Sequence, residues 1–444
     1  MRIVEFHPNP YETTFHARDR FRQCCVDYDV VRLMGDDTFS CDLVLPAKSL
    51  IIDLGGHTLS FVNNSGAVVR AIRFTQNVRY NIEISNGTIK GEYGDTSVAS
   101  TLPQNHGIFL YNSPQSTDYT AHDRNLTLSN VTIQNFHGDG VYVSNCSLTA
   151  IKTNSNVHGR NGFTATKDAV MTLDTCASKL VNGQAFDSEP VDGTCEATLR
   201  NCIFESNHQG RYAAAFSGGS STKKSYFVVE NCTFHGAVNV VWCTAFIRNS
   251  HFTTTDYDDK STPHLALLRL YRNSNTTVDD CKFLLDEGDQ VNSIIQIIGT
   301  GWGDTPLAIL RDLEFDLYTA PKQYLINISG AKSVSLDGVE VITHTPNPAP
   351  QSYYLYIRTT IGRWENGAMV EAGHSSVSLG KSKQVLTFFY AGNQQPNGVA
   401  PTLSVDYELG WYQTTLLAQV PPTWADLTAV SIDQSQAVLP PPTP

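Results

Sequence analysis

The chain has 444 residues, of which 41% are hydrophobic and only 17% are charged, and this composition excludes a disordered protein. Its 31 basic and 43 acidic residues give a formal net charge of −12 without any block of Lys or Arg, which argues against a nucleic-acid binder that follows phosphates. No apolar run reaches the roughly 20 residues of a membrane span, and the first residues lack the apolar region of a secretory signal peptide.

The first 45 residues differ from the rest of the chain. Residues 16–34 read HARDRFRQCCVDYDVVRLM, which combines the one segment of helical pattern with a following edge strand. Repeat folds expose their apolar core at each end and need a cap. We therefore predict that residues 1–45 form a cap, an attachment segment, or both.

Residues 46–345 repeat one pattern, which consists of a short alternating strand, a polar turn residue, a small residue and a second apolar pair. Clear copies are NLTLSNVTI (125–133), ATLRNCIFE (197–205), FVVENCTFH (227–235) and TTVDDCKFL (276–284). Another short strand lies between copies, and helical spacing is nearly absent. Short strands at a repeated interval without helices predict a parallel β-helix, an all-β solenoid in which each coil stacks on the last.

The polar turn residue marks one corner of each coil. In chain order these residues are Thr175, Asn201, Asn231, Asn249, Asp280, Asp312 and Asp337. Asn tolerates the left-handed backbone of such corners, and its amide can hydrogen-bond its equivalents in neighbouring coils. We therefore predict that Asn201, Asn231 and Asn249 stack in one column. A β-sandwich, the alternative all-β fold, does not explain a repeated Asn-Cys corner.

Four of the ten cysteines directly follow a corner residue. They are Cys176, Cys202, Cys232 and Cys281. Because the chain contains no CxxC pair, a zinc ribbon or a thioredoxin-like site has no support. We interpret the cysteines as small buried hydrophobes that stack inside the coils, with disulfides, chiefly at the Cys24–Cys25 pair, as the alternative.

The phrases IDLGGHTL (52–59), HGDGVYV (137–143) and NCTF (231–234) resemble the coils of the right-handed parallel β-helices of the pectate-lyase superfamily. Within that superfamily the chain is most similar to a bacteriophage tailspike. The resemblance implies a homotrimer that binds, and often cleaves, a bacterial surface polysaccharide. It also implies a location in the virion after synthesis in the host cytoplasm without a signal peptide, with other tail proteins bound through the N-terminal segment.

The repeated corner disappears after residue 345. PNPAPQ (346–351) reads as a linker, and the later segments YYLYIRTTIGRW (353–364), QVLTFFYAG (384–392) and TLSVDYELGWYQTTLLAQV (402–420) are predicted to be antiparallel strands. Residues 346–444 are therefore predicted to form a β-rich C-terminal domain for trimerisation or glycan binding. Its Pro-rich tail, LPPPTP (439–444), is expected to be extended.

Alternation along the strands between corners predicts which side chains point outward. The predicted substrate-binding residues are Tyr111, Tyr142, Arg211, Trp242, Arg269, Tyr271 and Trp302. Aromatic faces stack on apolar sugar faces, while Arg binds hydroxyls or anionic groups, so this set predicts a glycan groove. The alternative is a solvated sheet with scattered aromatic residues.

Asp187 and Glu189 form the clearest candidate catalytic pair. As residues i and i+2 of one strand they share the outer face, with Cα atoms about 6.6–6.8 Å apart. An inverting glycosidase holds its acid and base carboxyl groups roughly 6.5–9.5 Å apart. We predict neither residue to be buried, and a solvated acidic pair or a calcium-binding edge are the alternatives. Asp139, between two glycines, is a further candidate acid, although a simple turn suits it as well.

Three functions fit this sequence. The first is a tailspike-like hydrolase that uses Asp187 and Glu189, and the second is a lyase or epimerase of the same fold that uses Ca²⁺ or Arg211 and Arg269. The third is a fibre or adhesin without enzymatic activity, since fold does not decide function. We predict no cofactor, with Ca²⁺ at the acidic loop TTDYDDK (254–260) as the alternative.

Overall fold

In the computed structural model the chain divides into two compact units, Met1–Val228 and Val229–Pro444. The described ranges are 1–63, 69–75, 78–94, 105–112, 121–191, 193–206, 212–254, 264–299, 305–329 and 331–344, and then only the strands that follow. From residue 353 onward only the backbone of those strands is described.

The first unit contains one α-helix, α1 (Thr14–Asp27), among its described residues. Its strands are β1 (Ile3–Phe6), β2 (Val30–Leu33), β3 (Asp37–Ser40), β4 (Leu43–Leu45), β5 (Ser49–Asp53), β6 (Thr58–Val62), β7 (Arg70–Phe74), β8 (Tyr80–Lys90), β9 (His106–Tyr111), β10 (Arg124–Phe136), β11 (Val141–Ser144), β12 (Ser147–Ile151), β13 (Asn154–His158), β14 (Phe163–Thr166), β15 (Val170–Asp174), β16 (Ala177–Val181), β17 (Phe186–Ser188), β18 (Glu196–Arg200), β19 (Ile203–Ser206), β20 (Tyr212–Ser217) and β21 (Ser225–Glu230). A 3-10 turn at Ala121–Asp123 precedes β10.

The strands that begin in the second unit continue the same numbering. They are β22 (Thr233–His235), β23 (Ala237–Val241), β24 (Cys243–Arg248), β25 (His251–Thr253), β26 (His264–Tyr271), β27 (Asn275–Leu285), β28 (Val291–Ile298), β29 (Leu307–Leu317), β30 (Tyr324–Ser329), β31 (Ser333–Thr343), β32 (Tyr353–Arg358), β33 (Ile361–Glu365), β34 (Ala368–Gly373), β35 (Ser376–Leu379), β36 (Leu386–Ala391), β37 (Thr402–Val405) and β38 (Tyr412–Thr414).

In the first unit every coil contributes strands to three faces, and each strand pairs in parallel with its equivalent in the next coil. The first face runs β1, β2, β5, β8, β10, β12, β15, β18. The second face runs β3, β6, the later halves of β8 and β10, β13, β16, β19. The third face runs β4, β7, β9, β11, β14, β17, β20. This arrangement confirms the predicted parallel β-helix.

The second unit repeats this parallel pairing beyond the point where the sequence pattern fades. β31 pairs with β35 and β35 with β37, while β30, β32, β36 and β38 form a second parallel series. The prediction that the strands after residue 353 are antiparallel is therefore wrong for these pairs, and holds only for the hairpin β33–β34. Alternating apolar residues suit both kinds of pairing, so the pattern alone could not separate them. The predicted domain boundaries at residues 45 and 345 stay predictions.

The predicted corners adopt the left-handed backbone. Asn201, Asn231 and Asn249 have φ of 53°, 53° and 47°. Asn201 belongs to the first unit, whereas Asn231 and Asn249 belong to the second. Within the second unit the Asn231 N–H donates to the carbonyl of Arg248, the residue directly before Asn249. One assignment was off by a residue, because Gly338 (φ 69°) occupies the corner given to Asp337.

Corner amides hydrogen-bond between coils, and in one pair the acceptor is the equivalent corner residue, as predicted. Asn130 Nδ2 donates to Asn86 Oδ1 at 3.3 Å, and Asn86 Nδ2 donates to Asp53 Oδ1 at 3.2 Å. Further along, Asn201 Nδ2 donates to Asp174 Oδ1 at 3.0 Å. Each of these hydrogen bonds gives a side-chain amide at the surface a partner at the point where the chain turns from one face to the next.

The cysteines after the corners are buried, and all ten cysteines are free thiols. Cys176 and Cys202 lie inside the first unit, where the Sγ of Cys176 donates to the carbonyl of Ala150 at 3.3 Å. Burial raises the pKa of Cys281 to about 12. The interpretation as inert internal residues is confirmed, and Cys24 and Cys25 do not form a disulfide.

The predicted helix packs on the first coil. Its N-cap is Thr13, whose hydroxyl accepts from the His16 N–H at 3.3 Å. The Phe21 ring lies 5.0 Å from that of Phe6 and 5.2 Å from that of Phe39, between centroids. Helix α1 therefore covers apolar side chains that the first coil would otherwise expose.

Candidate active site on the third face of the first unit

Parallel register places chemically related residues side by side on the third face. Phe109 aligns with Tyr142, Tyr142 with Thr164, and Thr164 with Asp187. Because neighbouring strands lie about 4.7–4.9 Å apart, each column of equivalent positions forms a continuous strip across the coils.

A second strip lies at the start of the strands of this face. In each of three coils it consists of a polar residue followed by a glycine. It contains His106-Gly107, Asp139-Gly140 and Asn161-Gly162 in successive coils. The glycines are required, because a Cβ at position 140 would lie 2.0 Å from Ser155 Oγ and one at position 162 would lie 1.9 Å from Ser178 Oγ. The coils can therefore turn tightly at this point and bring the three polar side chains together.

Asp187 is buried, with 4% of its surface exposed, and the prediction that it is solvent-exposed is wrong. Its Oδ2 accepts a hydrogen bond from Asn161 Nδ2 at 2.9 Å. Burial, Glu189 and Asp139 raise the pKa of Asp187 well above its ordinary value, and Arg160 opposes them only in part. Asp187 therefore keeps its proton to a higher pH than an ordinary Asp side chain does.

Glu189 follows β17 and is 45% exposed at its side chain, as the sequence led us to expect. Its Oε2 lies 2.7 Å from Arg160 Nη2. Glu189 is also one of the causes that raise the pKa of the neighbouring Asp187.

Asp139 has no exposed surface, and its pKa shifts in the direction opposite to that of Asp187. Its Oδ1 accepts from the Asn161 N–H at 3.1 Å, and its Oδ2 lies 3.4 Å from Arg160 Nη1 and 3.4 Å from His106 Nδ1. Burial raises its pKa, but His106, Arg160 and the Asn161 amide outweigh burial, so the pKa of Asp139 is lowered. Asp139 therefore stays ionised and holds Arg160 in place.

Arg160 and Asn161 link the three carboxyl groups, although neither was predicted. Arg160 bridges Asp139 and Glu189, and Asn161 contacts both Asp139 and Asp187. A signal for them was present in the sequence, because HG, DG and NG each precede a strand of the same series.

His158 supports the strip from inside the coil. Its Nδ1 accepts from the Phe136 N–H at 3.3 Å, and its Nε2 lies 3.0 Å from Ser155 Oγ, which donates to the Gly162 carbonyl at 2.9 Å. Burial lowers the pKa of His158 to about 3, so its ring is neutral. This residue positions backbone and does not face the site.

Predicted Tyr111 and Tyr142 belong to a stack of aromatic rings beside these carboxyl groups. The Phe109 ring lies 5.5 Å from that of Tyr111, 5.0 Å from that of Tyr142 and 5.4 Å from that of His106. The Arg70 guanidinium lies 4.4 Å from the centre of the Phe109 ring. The predicted combination of aromatic rings and cations is thus present in the first unit.

Three other predicted binding residues lie in the second unit. Arg269 lies 4.4 Å from the Tyr271 ring centre, and Arg272 lies 4.7 Å from the ring centre of Trp242. Trp242, Arg269 and Tyr271 are therefore close to one another, but a single groove with Asp187 stays a prediction. Arg211 and Trp302 lie outside the described residues.

Among the described residues, no group of three or more His, Cys, Asp or Glu side chains is arranged to hold a metal ion. The acidic loop 254–260 lies outside the described residues except for Thr254, so Ca²⁺ at that loop stays a hypothesis. No helix in the described part of the chain is long and apolar enough to cross a membrane.

Comparison with known proteins finds similarity of structure only. No protein-family model and no curated protein sequence matches the chain. The mannuronan C-5 epimerase AlgE4 A-module of Azotobacter vinelandii is 12% identical over 76% of this chain and 95% of its own, with a TM-score of 0.50. The AlgE6 A-module of the same organism is 10% identical over 92% of this chain and 96% of its own, with a TM-score of 0.49.

A phage protein is also among the structures found. Tailspike protein 2 from Escherichia coli O157:H7 bacteriophage CAB120 is 12% identical, with a TM-score of 0.41, over 86% of this chain and 43% of its own. At such identities, what the comparison with the AlgE4 module shows is the β-helix fold.

Proposed function

We propose that this protein cleaves the glycosidic bonds of a polysaccharide, with Asp187 as the general acid. The observation that carries this proposal is the buried Asp187, whose pKa is raised while that of Asp139, in the same cluster, is lowered. A carboxyl group with a raised pKa suits the acid role in a glycosidase, and the half-exposed Glu189 two residues further on is the candidate base. The adjacent ring stack supplies a surface on which sugars can lie.

The proposed reaction uses the protons already present in the cluster. Asp187 gives its proton to the glycosidic oxygen as the bond from that oxygen to the anomeric carbon breaks, and the bonding electrons stay on the oxygen. Water adds to the anomeric carbon and gives its proton to Glu189. Glu189 can take this proton because its half-exposed side chain follows the end of β17 and is already held by Arg160.

Two variants test the proposal against purified bacterial surface polysaccharides, read by reducing ends and product mass. We expect Asp187→Asn and Glu189→Gln each to lower the cleavage rate by about 10²–10⁴-fold, the usual contribution of an acid–base group. Glu196→Gln, an exposed glutamate of β18 on another face, is the matched control and should keep wild-type activity. Near wild-type cleavage by both site variants would remove this assignment.

A lyase or epimerase is the second candidate, and Tyr142 favours it. Its ring is 5.4 Å from that of His106, which lies 3.4 Å from Asp139 Oδ2 in the carboxyl cluster. In that reaction a base takes the proton next to the sugar carboxylate. A lyase then releases the leaving group and forms a double bond, so its products absorb in the ultraviolet. Loss of activity in Tyr142→Phe with full activity in Glu189→Gln would favour this candidate.

We further propose that the polysaccharide belongs to a bacterial surface and that the protein acts in a phage tail as a homotrimer. The support is the resemblance of its coil phrases to the pectate-lyase superfamily, within which the chain is most similar to a tailspike, together with the parallel β-helix. In this proposal the N-terminal segment binds other tail proteins. Binding of a surface polysaccharide without any product would instead favour a fibre or adhesin.

A further inference from the structure

A second feature of the third face is a cavity of about 430 Å³ next to the ring stack. It is lined by Asp42, Arg70, Arg73, Phe74, Phe109 and Tyr111. We propose that this cavity binds a sugar unit that carries an anionic group, as a carboxylate or as a sulfate or phosphate substituent. This inference rests on the proposed action on a polysaccharide and names the chemical class of that substrate.

Arg70 is the residue from which the inference starts. Its Nε is buried and has no hydrogen-bond partner, and among the described residues Arg70 makes no ion pair. A buried donor without an acceptor is unfavourable, and more so when it is charged. An anionic oxygen in the cavity would bind the guanidinium, because Arg matches the geometry of carboxylate, sulfate and phosphate groups.

Arg73 adds a second cation whose charge is already partly balanced. Its Nε lies 3.0 Å from Asp42 Oδ1. Two guanidinium groups and one carboxylate leave the cavity locally positive in a chain whose net charge is −12. A neutral sugar would gain little from that local charge, whereas an anionic sugar would gain attraction that the rest of the acidic surface does not offer.

The walls of the cavity suit a sugar ring. Phe109 and Tyr111 form stacked rings, and Arg70 lies against the Phe109 face. An anionic substituent could therefore contact Arg70 while the apolar face of the ring lies on the aromatic wall. A patch of charged residues alone would attract the anionic group but would give the apolar face of the sugar nothing to lie on.

The cavity adjoins the candidate active site. Arg70 is paired in register with His106, and Phe109 stacks on Tyr142. Phe109 and Asp187 occupy equivalent positions three strands apart, which is about 14 Å at the usual strand spacing. A chain of a few sugars could lie along the coils with an anionic unit in the cavity and a scissile bond near Asp187.

Binding measurements by calorimetry with defined probes test the inference. The probes are oligogalacturonate and oligomannuronate for carboxylates, sulfated and phosphorylated dextran oligomers for the other anions, and uncharged dextran of the same length. We expect at least one anionic probe to bind about 10-fold or more tightly than uncharged dextran, since one charged hydrogen-bonded contact contributes about that much. The probe class that binds identifies the anionic group.

Variants of the lining residues sharpen the test. Arg70→Gln should weaken binding of the anionic probe by about 10-fold or more, and Arg70→Lys should weaken it less, because Lys keeps the charge but not the planar contact with Phe109. Arg32→Gln removes an arginine from β2, where it pairs with Asp53, and is the matched control with unchanged affinity. Thermal unfolding of each variant verifies that the fold is intact.

Asp42→Asn should change the affinity for the anionic probe in the opposite direction. Removing this carboxylate frees Arg73, so affinity for the anionic probe should rise several-fold, and Asn is tolerated at the left-handed φ of 74° that this position adopts. Equal binding of charged and uncharged probes, no binding of any anionic probe, or full affinity in Arg70→Gln would each overturn the inference. If Arg70-dependent binding persists while Asp187→Asn cleaves normally, the proposed catalytic assignment fails and the cavity assignment stands.

Discussion

At the scale of the residue, the environment that suits Asp187 to the proposed acid role also lowers stability as pH rises. Burial, Glu189 and Asp139 raise the pKa of its carboxyl group in the folded chain. The unfolded chain loses the proton at an ordinary Asp pKa, so folding takes up a proton between those two pKa values. The resulting contribution to stability is fully present below the unfolded pKa, and it is lost as pH rises toward the folded pKa.

This sign predicts that Asp187→Asn stabilises the protein at neutral pH. An amide needs no proton, so we expect the Tm at pH 7 to rise by about 2–4 °C, the shift that roughly 1 kcal/mol produces in a unit of 150–250 residues. Near pH 4 the gain should disappear. The neutral ring of His158 lowers stability as pH falls, but it is present in both proteins and cancels in the difference. Thermal scans across pH that show the same Tm difference at both values would contradict this account.

The sequence could supply the pair Asp187 and Glu189 because Asp187 lies on β17 and Glu189 directly follows it, so alternation gives both the same face. It could not supply the burial of Asp187, since Asn161 and Arg160 come from the preceding coil. Their contact depends on the register between coils and on a variable loop length. The polar-residue-and-glycine phrases that fix this register are visible in the sequence once the strands are aligned.

At the scale of the element, the left-handed backbone of some corners could be predicted from the sequence and that of others could not. Asn130 and Asn201 mark one corner because Asn tolerates left-handed backbone. A second corner holds Asn135, Val157 and Leu180 at φ of 66°, 58° and 54°, and Val and Leu give no such signal. The fold imposes this conformation on them, so propensity could not predict it.

Val157 is therefore a strained position, because a β-branched residue rarely adopts positive φ. We predict that Val157→Asn stabilises the protein by about 1 kcal/mol, given that a left-handed residue with a Cβ costs roughly 1–2 kcal/mol. Val157→Ala is the matched control and should gain less, since Ala removes the β-branch but lacks the side-chain amide that favours left-handed backbone in Asn. Urea unfolding measures the difference, and equal stability of the Asn variant and the wild type would count against corner strain.

At the scale of the whole molecule, the composition and repeat predicted an all-β solenoid because each coil buries its apolar residues between its neighbours. The pairing of the last strands was mispredicted, since the repeated corner ends before the parallel stacking does. Association between chains is not encoded in that repeat. This association depends on outward-facing side chains, and the alternation of apolar and polar residues does not predict what they contact.

The last prediction concerns that association. In the described residues β37 pairs only with β35 and β38 only with β36, and an open strand edge or exposed coil end needs cover from other parts of the chain or from another copy. The tailspike resemblance implies three copies, so light scattering coupled to gel filtration should give three times 48.8 kDa at micromolar concentration. Because each chain carries a net charge of −12, raising the salt concentration screens repulsion between copies and should preserve the trimer. A stable monomer at both low and high salt would exclude the homotrimer, while the site in the first unit could still function within one chain.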